Sequence, residues 1–134
     1  MRPAASVFLI EPQSAIATRL ARRIDCAGAK VIGIDADCHI ERLIALRPDA
    51  VVIDVLACRS SDPLELLTAI GRGMPATRLI ALASEDLDGW THACRLTGAT
   101  VITIPPADEA FVLSLRRALH GDRHKADDRL TALC

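Results

Sequence analysis

The sequence predicts an α/β protein in which a doubly wound sheet of five parallel strands carries helices on both faces. Three observations support this fold class. Short apolar runs, many rich in β-branched residues, recur along the chain and are typical of strands buried on both faces. Between them lie segments whose apolar residues recur every three or four positions, as on one face of a helix. The two patterns alternate five times at short spacing, which favours parallel βαβ units.

The five apolar runs predict the strands of this sheet. The third run is the clearest, because Val51, Val52 and Ile53 are followed directly by the carboxylate of Asp54. The predicted strands are 7–11, 31–34, 49–54, 79–83 and 101–104. Most of them close on an acid or a proline, and open α/β sheets place their sites at the carboxyl ends of the strands. Asp54 is therefore the first candidate functional residue.

The segments between the strands predict five helices. The apolar faces are formed by Ile16, Leu20 and Ile24, by Ile40, Leu43, Ile44 and Leu46, by Leu64, Leu67 and Ile70, by residues 90–96, and by Phe111, Val112, Leu115 and Leu119. Ser14 and Asp108 are predicted caps of the first and last helices, and Pro63 marks the start of the third. Gly28 and Gly98 are predicted to end the first and fourth helices.

Length and composition indicate one domain with an aliphatic core. We expect the 134-residue chain to fold over residues 1–121, with 122–134 as a tail or the start of a linker. Hydrophobic residues make up 51% and aromatic residues 2% of the chain. A net charge of −1 gives no basic footprint for nucleic acid and no polybasic patch for a membrane.

The cysteines and the missing motifs narrow the compartment and the function class. The five cysteines have no metal-ligand spacing and are expected to be mostly buried and reduced: Cys26, Cys38, Cys58, Cys94 and Cys134. No signal-peptide pattern and no membrane-length apolar run is present, so a cytoplasmic location is the default. The first strand is not followed by a glycine-rich phosphate loop, which argues against nucleotide binding of that kind.

Two acids are predicted to meet at the carboxyl ends of neighbouring strands. In a sheet of order 2-1-3-4-5 the first and third strands are adjacent, so Glu11 and Asp54 would lie together at the switch point. Two close carboxylates either share a proton or recruit a cation, and Mg²⁺ suits such a pair. The alternative is a structural role, because Asp after a strand often makes a turn and Glu11 precedes Pro12.

The arrangement of these residues resembles a two-component response-regulator receiver (CheY-like) domain. The likeness rests on residues 8–11, on residues 51–54, and on Gly98-Ala99 leading to Pro105-Pro106, and it covers about residues 6–119. It implies a flavodoxin-like sheet. It also implies that Asp54 stands where receivers accept a phosphoryl group from a histidine kinase.

Several positions depart from the receiver pattern. Receivers usually carry two adjacent acids after the first strand, whereas this chain has Glu11 and Pro12, so one metal ligand is missing. The remaining implied donors for a weakly held or absent Mg²⁺ are Glu11, Asp54 and the backbone carbonyl of Leu56.

Three further departures lie after the fourth strand and in and after the fifth. The hydroxyl that contacts the phosphoryl group falls at Ala83, with Ser84 as the other candidate. The usual lysine of the switch loop is replaced by Pro105, next to Pro106, and proline offers neither a cation nor an amide hydrogen. The aromatic switch position corresponds to Ile102.

These departures favour an atypical receiver that signals mainly through protein contacts and is not an enzyme. Its partner is expected to be a histidine kinase or another signalling protein. The alternative in the same fold is an ordinary phosphorylatable receiver that uses Glu11, Asp54 and Ser84. An alternative of another class is a small-molecule-binding or hydrolytic α/β domain, which would need a nucleophile and base near Asp54.

The resemblance also suggests an interface. In receivers the face made by the fourth helix, fifth strand and fifth helix commonly forms homodimers or binds partners. Trp90 and Ile102 are the candidate interface residues, because aromatic side chains often anchor such contacts. Receivers also commonly have a cis peptide before the switch-loop proline, so the bond preceding Pro106 is expected to be cis.

Overall fold

The computed structural model describes residues 4–37, 39–55, 63–84, 88–104 and 108–120. Within these ranges five strands alternate with five helices, as the sequence predicts. The strands are β1 (Ala5–Ile10), β2 (Ala29–Asp35), β3 (Ala50–Asp54), β4 (Arg78–Ser84) and β5 (Thr100–Ile104). The helices are α1 (Ser14–Cys26), α2 (Ile40–Leu46), α3 (Pro63–Gly73), α4 (Asp88–Leu96) and α5 (Asp108–His120). None of the helices in these ranges combines the length and apolarity that crossing a membrane requires.

The strands form one parallel sheet in the order β2-β1-β3-β4-β5, which confirms the predicted fold class and strand order. Ile10 of β1 pairs with Ile53 of β3, and Asp54 pairs with Leu82 of β4. The carboxyl ends of all five strands therefore lie along the same edge, which is called the carboxyl edge below. The chain reverses its winding direction between β1 and β3, where doubly wound sheets bind their ligands.

The sheet separates two apolar layers, because successive residues of a strand point to opposite faces. One layer, called the α1–α5 layer, joins the sheet to α1 and α5. Its most deeply buried members are Val7, Leu9, Ile24, Val52, Ile80, Leu82 and Leu115. The other, called the α2–α4 layer, joins the sheet to α2, α3 and α4. Its most deeply buried members are Phe8, Ile10, Leu43, Val51, Ile53, Leu67, Ile70, Ala81, Ala83 and Cys94.

The helix ends follow the sequence signals at two glycines, whereas both predicted caps, Ser14 and Asp108, are the first helical residues of α1 and α5 rather than their N-caps. Gly28 and Gly98 have φ of 89° and 90°, a left-handed conformation that glycine adopts without steric cost, so both predicted stops are confirmed. The prediction of Ser14 as the cap of α1 is wrong. Gln13 is the N-cap residue, and Ser14 is already helical. The Gln13 backbone N–H donates to Oε2 of Glu11 at 3.2 Å, which draws the chain into the helix one residue early.

The edge strand β2 contains an irregularity that fits a close contact between a glycine and a ring. The pairing with β1 shifts between Val7 and Phe8, so Phe8 lies opposite Gly33. A Cβ on Gly33 would stand 2.5 Å from Cε2 of Phe8. The Arg42 guanidinium lies 5.7 Å from the centroid of the same ring and forms an ion pair with Asp35 at 3.1 Å. The ring thus packs where only a glycine leaves room, and Arg42 ties α2 to β2.

At the opposite edge of the sheet, Ser6 and Asp49 join the starts of β1 and β3. The backbone N–H and the hydroxyl of Ser6 donate to Oδ2 of Asp49 at 2.8 and 3.2 Å. The Asp49 backbone N–H donates in return to Oγ of Ser6 at 2.9 Å. This reciprocal contact aligns the two strands whose other ends carry the candidate site.

Candidate functional site

The carboxyl edge brings Glu11 and Asp54 together. The two residues directly follow the paired residues Ile10 and Ile53 of adjacent strands, so the sheet register places them side by side. Both are buried, with 2% of Glu11 and 7% of Asp54 exposed. The topology-based prediction that these two acids meet is confirmed. Two carboxyl groups in so little water are an uncommon arrangement, since such groups are rarely buried without partners.

The electrostatics of this pair favour one shared proton. Burial, followed by the hydrogen bond with Asp54, raises the pKa of Glu11 to about 7. The backbone N–H of Gln13 opposes the shift by donating to Oε2 of Glu11. The other oxygen, Oε1, is buried and accepts no hydrogen bond from an N–H or hydroxyl donor among the described residues. A proton on Glu11 can instead be donated to Asp54, which removes the repulsion between two like charges.

Position 84 lies in phase with Asp54, whereas Ala83 does not. Asp54 pairs with Leu82, and Val55 N–H donates to the Leu82 carbonyl at 3.2 Å. Leu82 packs in the α1–α5 layer, and position 84 follows it by two residues along β4. Ala83 is fully buried in the opposite layer. Of the two candidate phosphoryl-contact positions, the backbone register therefore favours Ser84.

The fifth strand gives the switch position a buried aliphatic side chain. Ile102 is 6% exposed and packs in the α1–α5 layer, paired with Leu82. Pro105, Pro106 and Leu56 lie outside the described residues, so the predicted cis bond and the third metal donor are not part of the structure. Trp90 lies in the first turn of α4 as predicted, and its side chain also falls outside the described set.

The fit of a metal can be judged from the donors that are present. Mg²⁺ binds six oxygens in octahedral geometry and commonly keeps several waters beside one or two carboxylates. Glu11 and Asp54 supply two carboxylates, and the buried Oε1 atom of Glu11 is without a donor. This set fits a weakly held Mg²⁺, which when bound would neutralise charge at the pair. Among the described residues, no group of three or more His, Cys, Asp or Glu side chains is placed to hold a metal.

The structure adds a contact at the carboxyl edge that sequence reasoning missed. The backbone N–H of Glu11 donates to the carbonyl of Asp35 at 2.9 Å, and the Asp35 side chain pairs with Arg42. The acid at the end of β2 was visible in the sequence. Its partner seven residues later was not, because nothing in the local pattern fixes where α2 lies relative to β2. The Arg42 guanidinium therefore balances the negative charge of Asp35 at the carboxyl edge.

Two cysteines and three histidines belong to the described part of the chain. Cys94 is buried, and burial raises the pKa of its thiol, so it behaves as a core residue. Cys26 is exposed at the end of α1, and the other three cysteines lie outside the described residues, so the expectation that most cysteines are buried stays a prediction. The histidines at positions 39, 92 and 120 are exposed.

Comparisons with known proteins identify the fold. No family model and no curated protein matches the chain. The response regulator domain of CheB from Thermotoga maritima shares 23% identity at a TM-score of 0.71 and is covered over 98% of its length, against 89% of this chain. A LuxR-family DNA-binding response regulator from Staphylococcus aureus shares 13% identity at a TM-score of 0.73, over 87% of this chain and 99% of that one.

A third solved structure with the same fold comes from a different kind of protein. It is a pilus assembly-related protein from Burkholderia pseudomallei, with 17% identity and a TM-score of 0.72, over 89% of this chain and 92% of that chain. These likenesses span nearly all of the described residues. They confirm the resemblance to CheY-like receiver domains at the level of the fold.

Proposed function

We propose that this chain, which has the fold of a receiver domain, is an atypical receiver that signals mainly through protein contacts. Asp54 is its residual phosphoacceptor position. The observation that carries the proposal is the buried pair of Glu11 and Asp54, in which Glu11 keeps a proton up to a pH of about 7. An ordinary receiver has a second acid and a metal ion at this site, whereas this chain holds a proton there. The site is therefore poorly suited to accept a phosphoryl group.

The sequence positions around the pair support the same conclusion. A phospho-aspartate adds charge and strong acceptor oxygens that need a cation and donors nearby. Pro12 supplies no second carboxylate for Mg²⁺, and Pro105 supplies no ammonium group. Both the transfer of a phosphoryl group and the response to it are weakened by these two replacements.

The output is proposed to be a contact with a histidine kinase or another signalling protein, including a second copy of the chain. The face formed by α4, β5 and α5 is the candidate for a homodimer. Leu96 of α4 is 75% exposed, which is unusual for a large aliphatic side chain and provides an apolar anchor there. Trp90, in the first turn of α4, stays a candidate residue of this interface.

One observation favours the second candidate, an ordinary phosphorylatable receiver. Position 84 is in phase with Leu82, which pairs with Asp54, and this backbone register supports Ser84 as the residue that would contact a phosphoryl oxygen. In this alternative Glu11 and Asp54 bind Mg²⁺ and Ser84 contacts the phosphoryl group. The two candidates differ in how completely Asp54 is phosphorylated.

Intact-mass measurement after incubation with acetyl phosphate and Mg²⁺ tests the proposal. The atypical receiver is expected to gain little or no phosphoryl mass, and Asp54→Asn is expected to keep the association state of the wild type. Stoichiometric phosphorylation that disappears in Asp54→Asn and changes the association state would support the ordinary receiver. Ser84→Ala would then be expected to reduce the yield.

A further inference from the structure

Helices α1 and α5 present a concentration of exposed positive charge. They carry Arg19, Arg22 and Arg23 on α1 and Arg116 and Arg117 on α5. All five lie at the surface, with Arg23 half-buried. Their acids stand near the helix ends: Asp25 in the last turn of α1, and Asp108 and Glu109 in the first turn of α5. The centre of this helix pair is therefore basic although the whole chain carries a net charge of −1.

Side chains from each helix hold this surface in one arrangement. The Arg23 guanidinium lies 5.5 Å from the centroid of the Phe111 ring. Arg116 donates from Nη2 to the carbonyl of Cys26 at 3.2 Å, and Nε2 of His120 lies 3.0 Å from the carbonyl of Ala27. These contacts link the end of α1 to α5. The arginines therefore lie on two helices that are held side by side.

An exposed apolar side chain lies within the basic surface. Leu113 is 51% exposed and precedes Arg116 and Arg117 by three and four residues, so the three side chains share one face of α5. Residues with this spacing point away from the buried side of the helix formed by Phe111 and Leu115. The face thus offers an apolar contact flanked by cations.

We propose that this α1–α5 surface, formed by Arg19, Arg22, Arg23, Leu113, Arg116 and Arg117, binds an acidic amphipathic helix of a partner protein. Its charge complements acidic side chains, and Leu113 complements an apolar one. Because the exposed Leu113 lies among the arginines, a protein segment that carries both acidic and apolar side chains fits this surface better than the phosphates of a nucleic acid do. This proposal rests on the proposed function in one respect, because it assumes that the domain signals by contacting another protein.

Fluorescence anisotropy with a labelled model peptide tests this surface. The probe is a peptide of Glu and Leu in which Leu recurs every three or four positions, and a scrambled peptide of the same composition is its control. Arg19→Ala combined with Arg117→Ala is expected to weaken binding on the order of fivefold. Arg72→Ala combined with Arg95→Ala, two exposed arginines of α3 and α4, removes the same charge elsewhere and is expected to leave binding unchanged.

A second pair of matched variants tests the apolar contact made by Leu113. Leu113→Ala is expected to weaken binding, whereas Leu46→Ala, at an exposed position of α2, is not. Equal losses in the two arginine pairs, or equal binding of the scrambled peptide, would overturn the proposal. Tighter binding of single-stranded DNA or of phosphatidylserine vesicles than of the peptide would also overturn it. The measurement uses unphosphorylated protein, so its failure leaves the account of Asp54 untouched, and phosphorylation of Asp54 leaves this result untouched.

Discussion

Glu11 and Asp54 share a buried contact at the carboxyl ends of β1 and β3, and that contact changes the acidity of the pair. Burial first, and the hydrogen bond to Asp54 second, raise the pKa of Glu11 from 4.5 to about 7. In the folded chain a proton therefore stays on Glu11 over a pH range in which an exposed glutamate is ionised. This link between folding and protonation gives the candidate site a measurable signature.

Stability of the metal-free protein is expected to fall as pH rises from about 4.5 to about 7 and to level off above. In this window the folded state binds more protons than the unfolded state, so ionisation favours unfolding. The loss attributable to Glu11 is at most about 3 kcal/mol. Urea unfolding across this range in the presence of a chelator measures it.

The variant Glu11→Gln is expected to remove this pH dependence, because an amide can donate to Asp54 without titrating. Glu65→Gln, at an exposed position of α3, is the matched control and is expected to keep the wild-type profile. Parallel profiles for the wild type and Glu11→Gln would show that Glu11 ionises in the folded chain as it does in water.

Binding of Mg²⁺ is expected to be weak, because the described residues bring two carboxylates, those of Glu11 and Asp54, to the site. Isothermal titration calorimetry should give a shallow curve that does not saturate at low millimolar Mg²⁺. Glu11→Gln and Asp54→Asn are each expected to abolish the remaining heat. Tight binding that is lost in Asp54→Asn would contradict this and favour the ordinary receiver.

Gly33→Ala is expected to destabilise the fold, because the new Cβ would stand 2.5 Å from Cε2 of the buried Phe8 ring. Displacing a ring that packs under Arg42 costs about 1–3 kcal/mol. Gly71→Ala is the control: its nearest atoms are 3.7 Å away and it lies within α3, where alanine stabilises a helix by up to about 1 kcal/mol. Urea midpoints that shift equally in both variants would show that Phe8 can move aside freely.

Ser6 and Asp49 are expected to couple energetically, since each side chain accepts a hydrogen bond from the other residue's backbone N–H. A double-mutant cycle with Ser6→Ala and Asp49→Ala should give a coupling of about 1 kcal/mol in the free energy of unfolding. If the losses in the free energy of unfolding are additive, the contact between Ser6 and Asp49 does not couple the starts of β1 and β3.

The sequence was sufficient for the fold and for the meeting of the two acids. Periodicity and glycine positions gave ten elements in the observed order, and the strand order brought Glu11 beside Asp54. These features depend on local pattern and chain connectivity, which a sequence displays directly. The register of β4, which distinguishes Ser84 from Ala83, needed the structure, because both positions fit the end of the same apolar run.

Other features depended on packing between distant elements. The irregular pairing of β2 with β1 and the contact of Gly33 with Phe8 arise from side-chain shape rather than from periodicity. The elevated pKa of Glu11 required its depth of burial, which no pattern specifies. The wrong prediction of Ser14 as the N-cap also reflects a contact that no sequence pattern shows. The carboxyl group of Glu11 accepts a hydrogen bond from the backbone N–H of Gln13, which is the N-cap residue.

The central claim is that the replacements at positions 12 and 105 limit phosphorylation of Asp54. The most direct test compares the wild type with the double variant Pro12→Asp, Pro105→Lys by intact mass after incubation with acetyl phosphate and Mg²⁺. The account predicts little phosphoryl mass on the wild type and a clear gain of one phosphoryl group in the double variant, lost again when Asp54→Asn is added. Full phosphorylation of the wild type, equal to that of the double variant, would contradict it.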